Sequence, residues 1–358
     1  GQYRATLRAA DLAGNTVTTT VGTLNLDDLG PTADIALNSS VISESVGTLD
    51  GVVSDIPYPS EDRARYLHFE ESANTTIFRD STSNGVTVNC TNCPTAGATG
   101  QSGRAATFDG VNDALTLAAP FDPAASKFTA AAWFKVADLN TQHTLLAQAD
   151  GAGTGRAWLL VDTNGKLASD LGGSRLSGVD SVTPGQWRHA ALTYDGTTVS
   201  LYLDGSLTAQ TDRSLASSDG DLVLGADGTQ TQNFFAGLLD ELVVYHRALS
   251  AEELYDIAHP LTTTITSASI RFRHGADGDQ GAADGTWYGV TLSPSTGAGF
   301  ATWQYPLPAG LEGPYKIDLK ATDSAGNSSY IPSVWSGDID TLAPRISFSY
   351  TLLSNAYM

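Results

Sequence analysis

Carboxylates are the residues with which this sequence could do chemistry. Across 358 residues Asp outnumbers Glu by 31 to 8. The short carboxylate suits turns and oxygen-only cation sites, whereas Glu is the acid more often carried by helices; a solvated acidic surface is the other use for most of them. Cleavage of a glycosidic bond needs two carboxylates at a fixed separation. The nearest candidates, Glu70 with Glu71 and Asp240 with Glu241, are chain neighbours. Neighbours on a strand point to opposite faces, so neither pair is expected to work together. The motifs G-x-S-x-G and H-E-x-x-H and a Gly-rich phosphate loop are missing from the sequence. His189 in QWRHAAL shares a strand face with Trp187, which predicts a packed histidine rather than a base. The chain is expected not to be an enzyme.

The two cysteines, Cys90 and Cys93 in NCTNCP, form one C-x-x-C with no second pair and no nearby histidine. Zinc would need more ligands, and a redox motif would need a βαβ setting that this Gly/Thr/Asn-rich stretch lacks. A small loop disulfide is the expected state, pointing to an oxidising, extracellular compartment. With 39 acidic and 19 basic residues the formal charge is -20. No cationic stretch is available for phosphate, so nucleic acid and anionic membranes are not expected partners. No run of about 18 apolar residues exists, so membrane insertion is not expected either. The chain begins at Gly1 without a signal peptide and reads as a piece of something longer.

Strands must position these groups. In GPYKIDLKATD, Tyr315, Ile317, Leu319 and Ala321 alternate with Lys316, Asp318, Lys320 and Thr322. The opening GQYRATLRAADLAGN repeats GPYKIDLKATDSAGN at an offset of 312 residues, with Tyr3, Ala5, Leu7 and Ala9 in the same register. Each copy runs on into a Pro-marked linker, LDDLGP at 26–31 and IDTLAP at 339–344. The pattern G-x-Y-x-x-x-L-x-A-x-D-x-A-G-N followed by I-D-T-x-A-P resembles the last two strands and exit linker of bacterial immunoglobulin-like repeats, found in tandem on large surface proteins.

Between about Tyr66 and His259 the blocks YLHFEE, AATFDGVNDALTL, FTAAAWFKV, GQWRHAALTYDGTTVSLYLDG and FAGLLDELVVYHRALSAEEL resemble, in that order, the laminin-G-like jelly roll of the concanavalin A-like superfamily. Val199, Leu201 and Leu203 alternate with Ser200, Tyr202 and Asp204, and Asp204-Gly205 is a hairpin-turn pair. Ser250 and Glu253 have the spacing of a capping box, predicting a helix after the last strand. LHFEE and LDELVVYH are the expected paired first and last strands.

The fold class expected is all-β, a concanavalin A-like jelly-roll sandwich plus immunoglobulin-like β-sandwich domains. TADIAL and GTLDGVVSD look like the first two strands of one immunoglobulin-like domain, completed after His259 by SASIRFRHG, GTWYGVTL, ATWQYPLP and GPYKIDLKATD. The division expected is therefore the last strands of a preceding domain at 1–30, a split domain at 31–57 and 260–340, the jelly roll at 58–259 as an insert, and a linker with the next domain's first strand at 341–358.

The jelly-roll resemblance implies a structural calcium ion at Glu70, Asp80, Asp109 and Asp240, although an Asp after a strand is also an ordinary turn residue. The repeat resemblance implies calcium at the junctions, at Asp11, Asp27, Asp323 and Asp340, with Asx turns as the other use. The function implied is a structural or adhesive segment of a long extracellular bacterial surface protein, its partners being neighbouring repeats in a filament. The alternative is a carbohydrate-binding module for cell-surface or matrix glycans, which would need exposed aromatics; Trp133, Trp158 and Trp187 are as readily core residues.

Overall fold

Strict alternation and glycine-marked turns give a chain made of strands. The computed structural model describes residues 2–10, 16–25, 30–35, 41–56, 58–59, 61–71, 73, 75–82, 84–148, 156–260, 264–275, 286–294 and 299–342, the first two stretches through their backbone. Two stacked sheets form the larger sandwich. One has the strand order Leu176–Ser181, Lys166–Ser169, Arg156–Val161, His143–Gln148, Leu222–Leu224, Leu115–Leu117, Val88–Asn89. The other runs Ser206–Asp212, Thr198–Leu203, Arg188–Tyr194, Phe128–Val136, Ala236–Tyr245, Arg104–Asp109, Thr95–Thr99, with Arg63–Leu67 also paired to Ala236–Tyr245. Val199, Leu201 and Leu203 enter the core between the sheets together with Phe128, Phe134 and Trp158. Asp204 and Gly205 both have positive φ, as a tight two-residue hairpin requires.

The first and last strands of this sandwich do pair, Leu67 opposite Leu242. LHFEE is strand only as far as Leu67, however: Phe69 has φ 61, and the chain turns away before Glu70. The helix is Ala251–Ala258, and Ser250 and Glu253 close the capping box reciprocally. With Ile56 and Tyr58 its apolar side covers the outer face of the second sheet at Ala131, Ala191, Val243 and Tyr245.

A smaller sandwich draws strands from both ends of the described chain. Thr291–Pro294, Phe300–Pro306, Thr48–Ser54 and Thr32–Ile35 make one sheet; Tyr288–Gly289, Ile265–His274, Glu312–Asp323, Ser328–Asp340 and Val41–Ser43 make the other. Ile35, Ile42, Leu49 and Val53 pack in one core with Ile270, Trp303, Ile317, Leu319 and Trp335. Gln2–Ala10 and Thr16–Asn25 form a separate antiparallel pair.

His189 is fully buried beside Trp133, ring centroids 5.3 Å apart, and neither ring nitrogen has a hydrogen-bond partner among the described residues. Burial, aided by the charge of His259, lowers its pKa to about 3. The unfolded chain would take up this proton near 6.5 and the folded chain only near 3, so the stability is whole above 6.5 and is lost as pH falls. We expect a loss on the order of 3 kcal/mol by pH 4. His189→Leu should flatten the fall in melting temperature between pH 7 and pH 4; parallel curves for the two proteins would contradict a neutral buried ring.

Candidate metal centre

A bulge in the strand Ala236–Tyr245 builds the site. Any strict alternation through LLDELVVY would drive one carboxylate into the apolar core. Instead Leu239, Leu242 and Val244 all point inward, which requires one extra residue on the outer side. The pairing shows where it is: Trp133 faces Asp240 while Ala131 faces Val243. Glu241 takes up the surplus residue with φ 49. Asp240 and Glu241 therefore lie on the same outer side, and the expectation that they point apart is overturned. Glu70, beyond the turn at Phe69, joins them: one ligand oxygen from each of Glu70, Asp240 and Glu241 falls within 4.8 Å of the others.

Neighbouring groups fix each carboxylate. Asp240 Oδ2 accepts hydrogen bonds from the amides of Gln101 (2.8 Å) and Ser102 (2.9 Å). Both oxygens of Glu70 accept from the Arg104 amide, at 3.0 and 3.1 Å, and Arg104 Nη1 donates to the Glu70 carbonyl at 2.9 Å. Glu241 accepts from the Tyr66 hydroxyl and lies 3.2 Å from His68 Nδ1. The turn Gly100–Gly103 crosses directly over the group, and a Cβ at Gly100 would stand 2.6 Å from Asp240 Oδ2.

Asp240 and Glu241 are fully buried and Glu70 is half-buried. Burial, reinforced by Glu241 and Glu70, pushes the Asp240 carboxyl far above the usual carboxylate range. Burial does the same to Glu70, the Arg104 amide opposing it and Glu241 adding to it. Two buried oxygens here lack a partner among the described residues, Asp240 Oδ1 and the Ser102 hydroxyl. An orphaned carboxylate oxygen amid crowded acids is costly. A hard cation would repay it, and an all-oxygen donor set suits Ca²⁺. The residues present therefore fit such an ion.

The other expected ligands lie elsewhere. Asp80 is occupied in tying its loop to the first strand, accepting from the Tyr66 and Val86 amides and from the amide and hydroxyl of Thr82. Asp109 is exposed and accepts from the amides of Val111, Asn112 and Asp113. Asp323 is buried in its turn, accepting from the amide and side chain of Asn327. Asp340 receives the Leu342 amide at 3.3 Å. These four are not brought together, and Asp11 and Asp27 lie outside the described residues. Glu241 and Ser102 were not legible as site residues; two adjacent acids inside an apolar strand were the signal that a bulge must intervene. Cys90 and Cys93 are joined in a disulfide.

The Laminin_G_3 family model, described as concanavalin A-like lectin/glucanases superfamily, matches residues 109–255. Among solved structures, domain 4 of AbnA, an extracellular GH43 arabinanase from Geobacillus stearothermophilus in complex with arabinotriose, is similar at 24% identity and TM-score 0.42, over 55% of this chain and 98% of its own. Trypanosoma rangeli sialidase in complex with DANA is similar at 19% identity and TM-score 0.43, over 54% of this chain and 32% of its own. The Ruminococcus gnavus IT-sialidase CBM40 bound to α2,3 sialyllactose is similar at 19% identity and TM-score 0.33, over 37% of this chain and 83% of its own. No curated protein matches the chain. The larger sandwich is thus similar to concanavalin A-like domains.

The raised carboxyls set a sign that can be tested. Ion-free, the folded protein holds protons that the unfolded chain releases near the ordinary carboxylate values of 3.8 and 4.5. Stability should then fall as pH rises from there toward the raised folded values. Calcium should remove this loss, adding about 2.7 kcal/mol at 100 times Kd. Asp240→Asn, which keeps one acceptor and adds a donor, should abolish the calcium effect while raising the melting temperature of EGTA-treated protein at pH 8. A variant that is both less stable in EGTA and still calcium-responsive would contradict this assignment.

Proposed function

We propose that this chain is a non-catalytic structural and adhesive segment of a long extracellular bacterial repeat protein, with calcium as a structural ion and neighbouring repeats as its main partners. The observation that carries the reading is the smaller sandwich, whose two sheets are built jointly by strands before and after the jelly roll. Two pairings support the immunoglobulin-like reading: Thr32–Ile35 runs antiparallel to Thr48–Ser54 in one sheet, and Val41–Ser43 runs parallel to Ser328–Asp340 in the other. On this reading the jelly roll is an insert in the connection between Ser54 and Ile265. The paired Gln2–Ala10 and Thr16–Asn25 are then the closing hairpin of a preceding unit, as Glu312–Asp323 and Ser328–Asp340 are of this one. The Cys90–Cys93 bond supports an oxidising compartment. The burial of Asp240 and Glu241 supports a structural role over catalysis, since no substrate could reach carboxylates without exposure.

A second reading, glycan binding, is favoured by one feature. A groove of about 510 Å³ on the outer face of the eight-stranded sheet is lined by Thr193, Ser200, Tyr202, Gln210 and Asp212, with Ser250 at one wall. Hydroxyls around one half-buried tyrosine suit a neutral saccharide. The tryptophans do not supply a platform: Trp158 and Trp133 are buried, and Trp187 lies under Lys135 at 5.1 Å.

Joining Pro57 to Leu261 through a short Gly/Ser linker should leave a sandwich with a cooperative melting transition, and a product without one would argue against the insertion. Titrating the chain with a panel of neutral and acidic oligosaccharides should give no saturable heat. Saturable binding that Tyr202→Ala abolishes would replace the structural reading with the glycan-binding one.

A further inference from the structure

The four-stranded sheet of the smaller sandwich turns its outward face to the jelly roll. Phe300 pairs with Ser54, Thr302 with Val52 and Gln304 with Asp50. These six lie opposite to Leu49, Val53 and Trp303, which fill the sandwich core. An outward face should be wet, yet Ser54, Phe300 and Val52 are 1%, 3% and 6% exposed. Phe300 packs in the core of neither sandwich. Its ring lies against Gly103, where a Cβ would overlap both the ring and Glu70 Oε1, and where φ is +63. The Phe300 ring and the Glu70 carboxylate thus meet at Gly103, while Gly100, at the other end of the same turn, stands over Asp240.

Polar contacts cross the same seam. Arg79 Nη1 donates to the Ile35 carbonyl at 3.0 Å. Arg104, whose amide and guanidinium both bind Glu70, acts together with Arg79 on the charge of Asp50 in the smaller sandwich.

We infer that a cation held by Glu70 and Asp240 also sets the joint between the two sandwiches, acting through the segment Gly100–Arg104; this rests on the proposal that the carboxylates hold calcium. Three amides of that segment, those of Gln101, Ser102 and Arg104, are aimed by the carboxylates. Neutralising the acids holds those amides, and with them the surface on which Phe300 rests. Coupling of this kind is reciprocal. A seam that is favoured by the ion must in turn favour the ion.

Calorimetric titration of calcium into the intact, EGTA-stripped chain tests both layers. Wild-type protein should bind, and Phe300→Ala should bind about fivefold or more weakly. Wild-type protein that takes up no calcium would remove the site and the coupling together. Binding by wild type with Phe300→Ala within twofold would leave the site and overturn the coupling. Should Phe300→Ala fail to fold, hydrogen exchange on wild type decides: calcium should slow exchange at residues 48–54 and 299–306 as well as at 100–104. Slowing confined to 100–104 would overturn the inference.

Discussion

One extra residue in one strand organises the site and the surfaces around it. The strand Ala236–Tyr245 must give Leu239, Leu242 and Val244 to the core, and it also carries two adjacent acids. A regular strand could satisfy only one of these demands. Placing Glu241 in the left-handed region costs on the order of 1 kcal/mol or more, which is small beside the cost of a carboxylate in the core. The bulge is thus the cheaper solution, and its consequence is two carboxylates side by side on the outer face.

That consequence propagates outward. Asp240 and Glu70 capture the amides of the turn that follows Thr95–Thr99, so the turn lies flat across them. Only glycine fits at Gly103, against Glu70 and Phe300, and Phe300 is buried with Ser54 and Val52 on the outward sheet face. Core, carboxylates, turn and seam thus adjoin one another, with Glu70 and Phe300 meeting at Gly103. The orphaned Asp240 oxygen is where an ion has most to offer.

Much of the fold was legible because it rests on period-two alternation and turn chemistry. FTAAAWFKV is a strand over its whole length, Asp204-Gly205 is the hairpin turn, and Ser250 with Glu253 caps the one described α-helix. The site was only half legible. Glu70 and Asp240 converge, but the rule that neighbours on a strand diverge hid Glu241, because a bulge breaks that rule locally. Asp80 and Asp109 drew attention by their type and place, yet short carboxylates after strands bind backbone amides readily, and both are spent that way. Ser102 was invisible from sequence, since its role comes from a turn folding back over a strand 138 residues away.

The measurement that bears most directly on this account is a calcium-soaked crystal structure with an anomalous difference map. A peak is expected about 2.3–2.6 Å from Asp240 Oδ1, with Glu70 in its coordination shell and Gly100–Gly103 closed over it. No peak there at saturating calcium, with Asp240 and Glu70 instead sharing a proton in a direct carboxylate–carboxyl hydrogen bond, would contradict it.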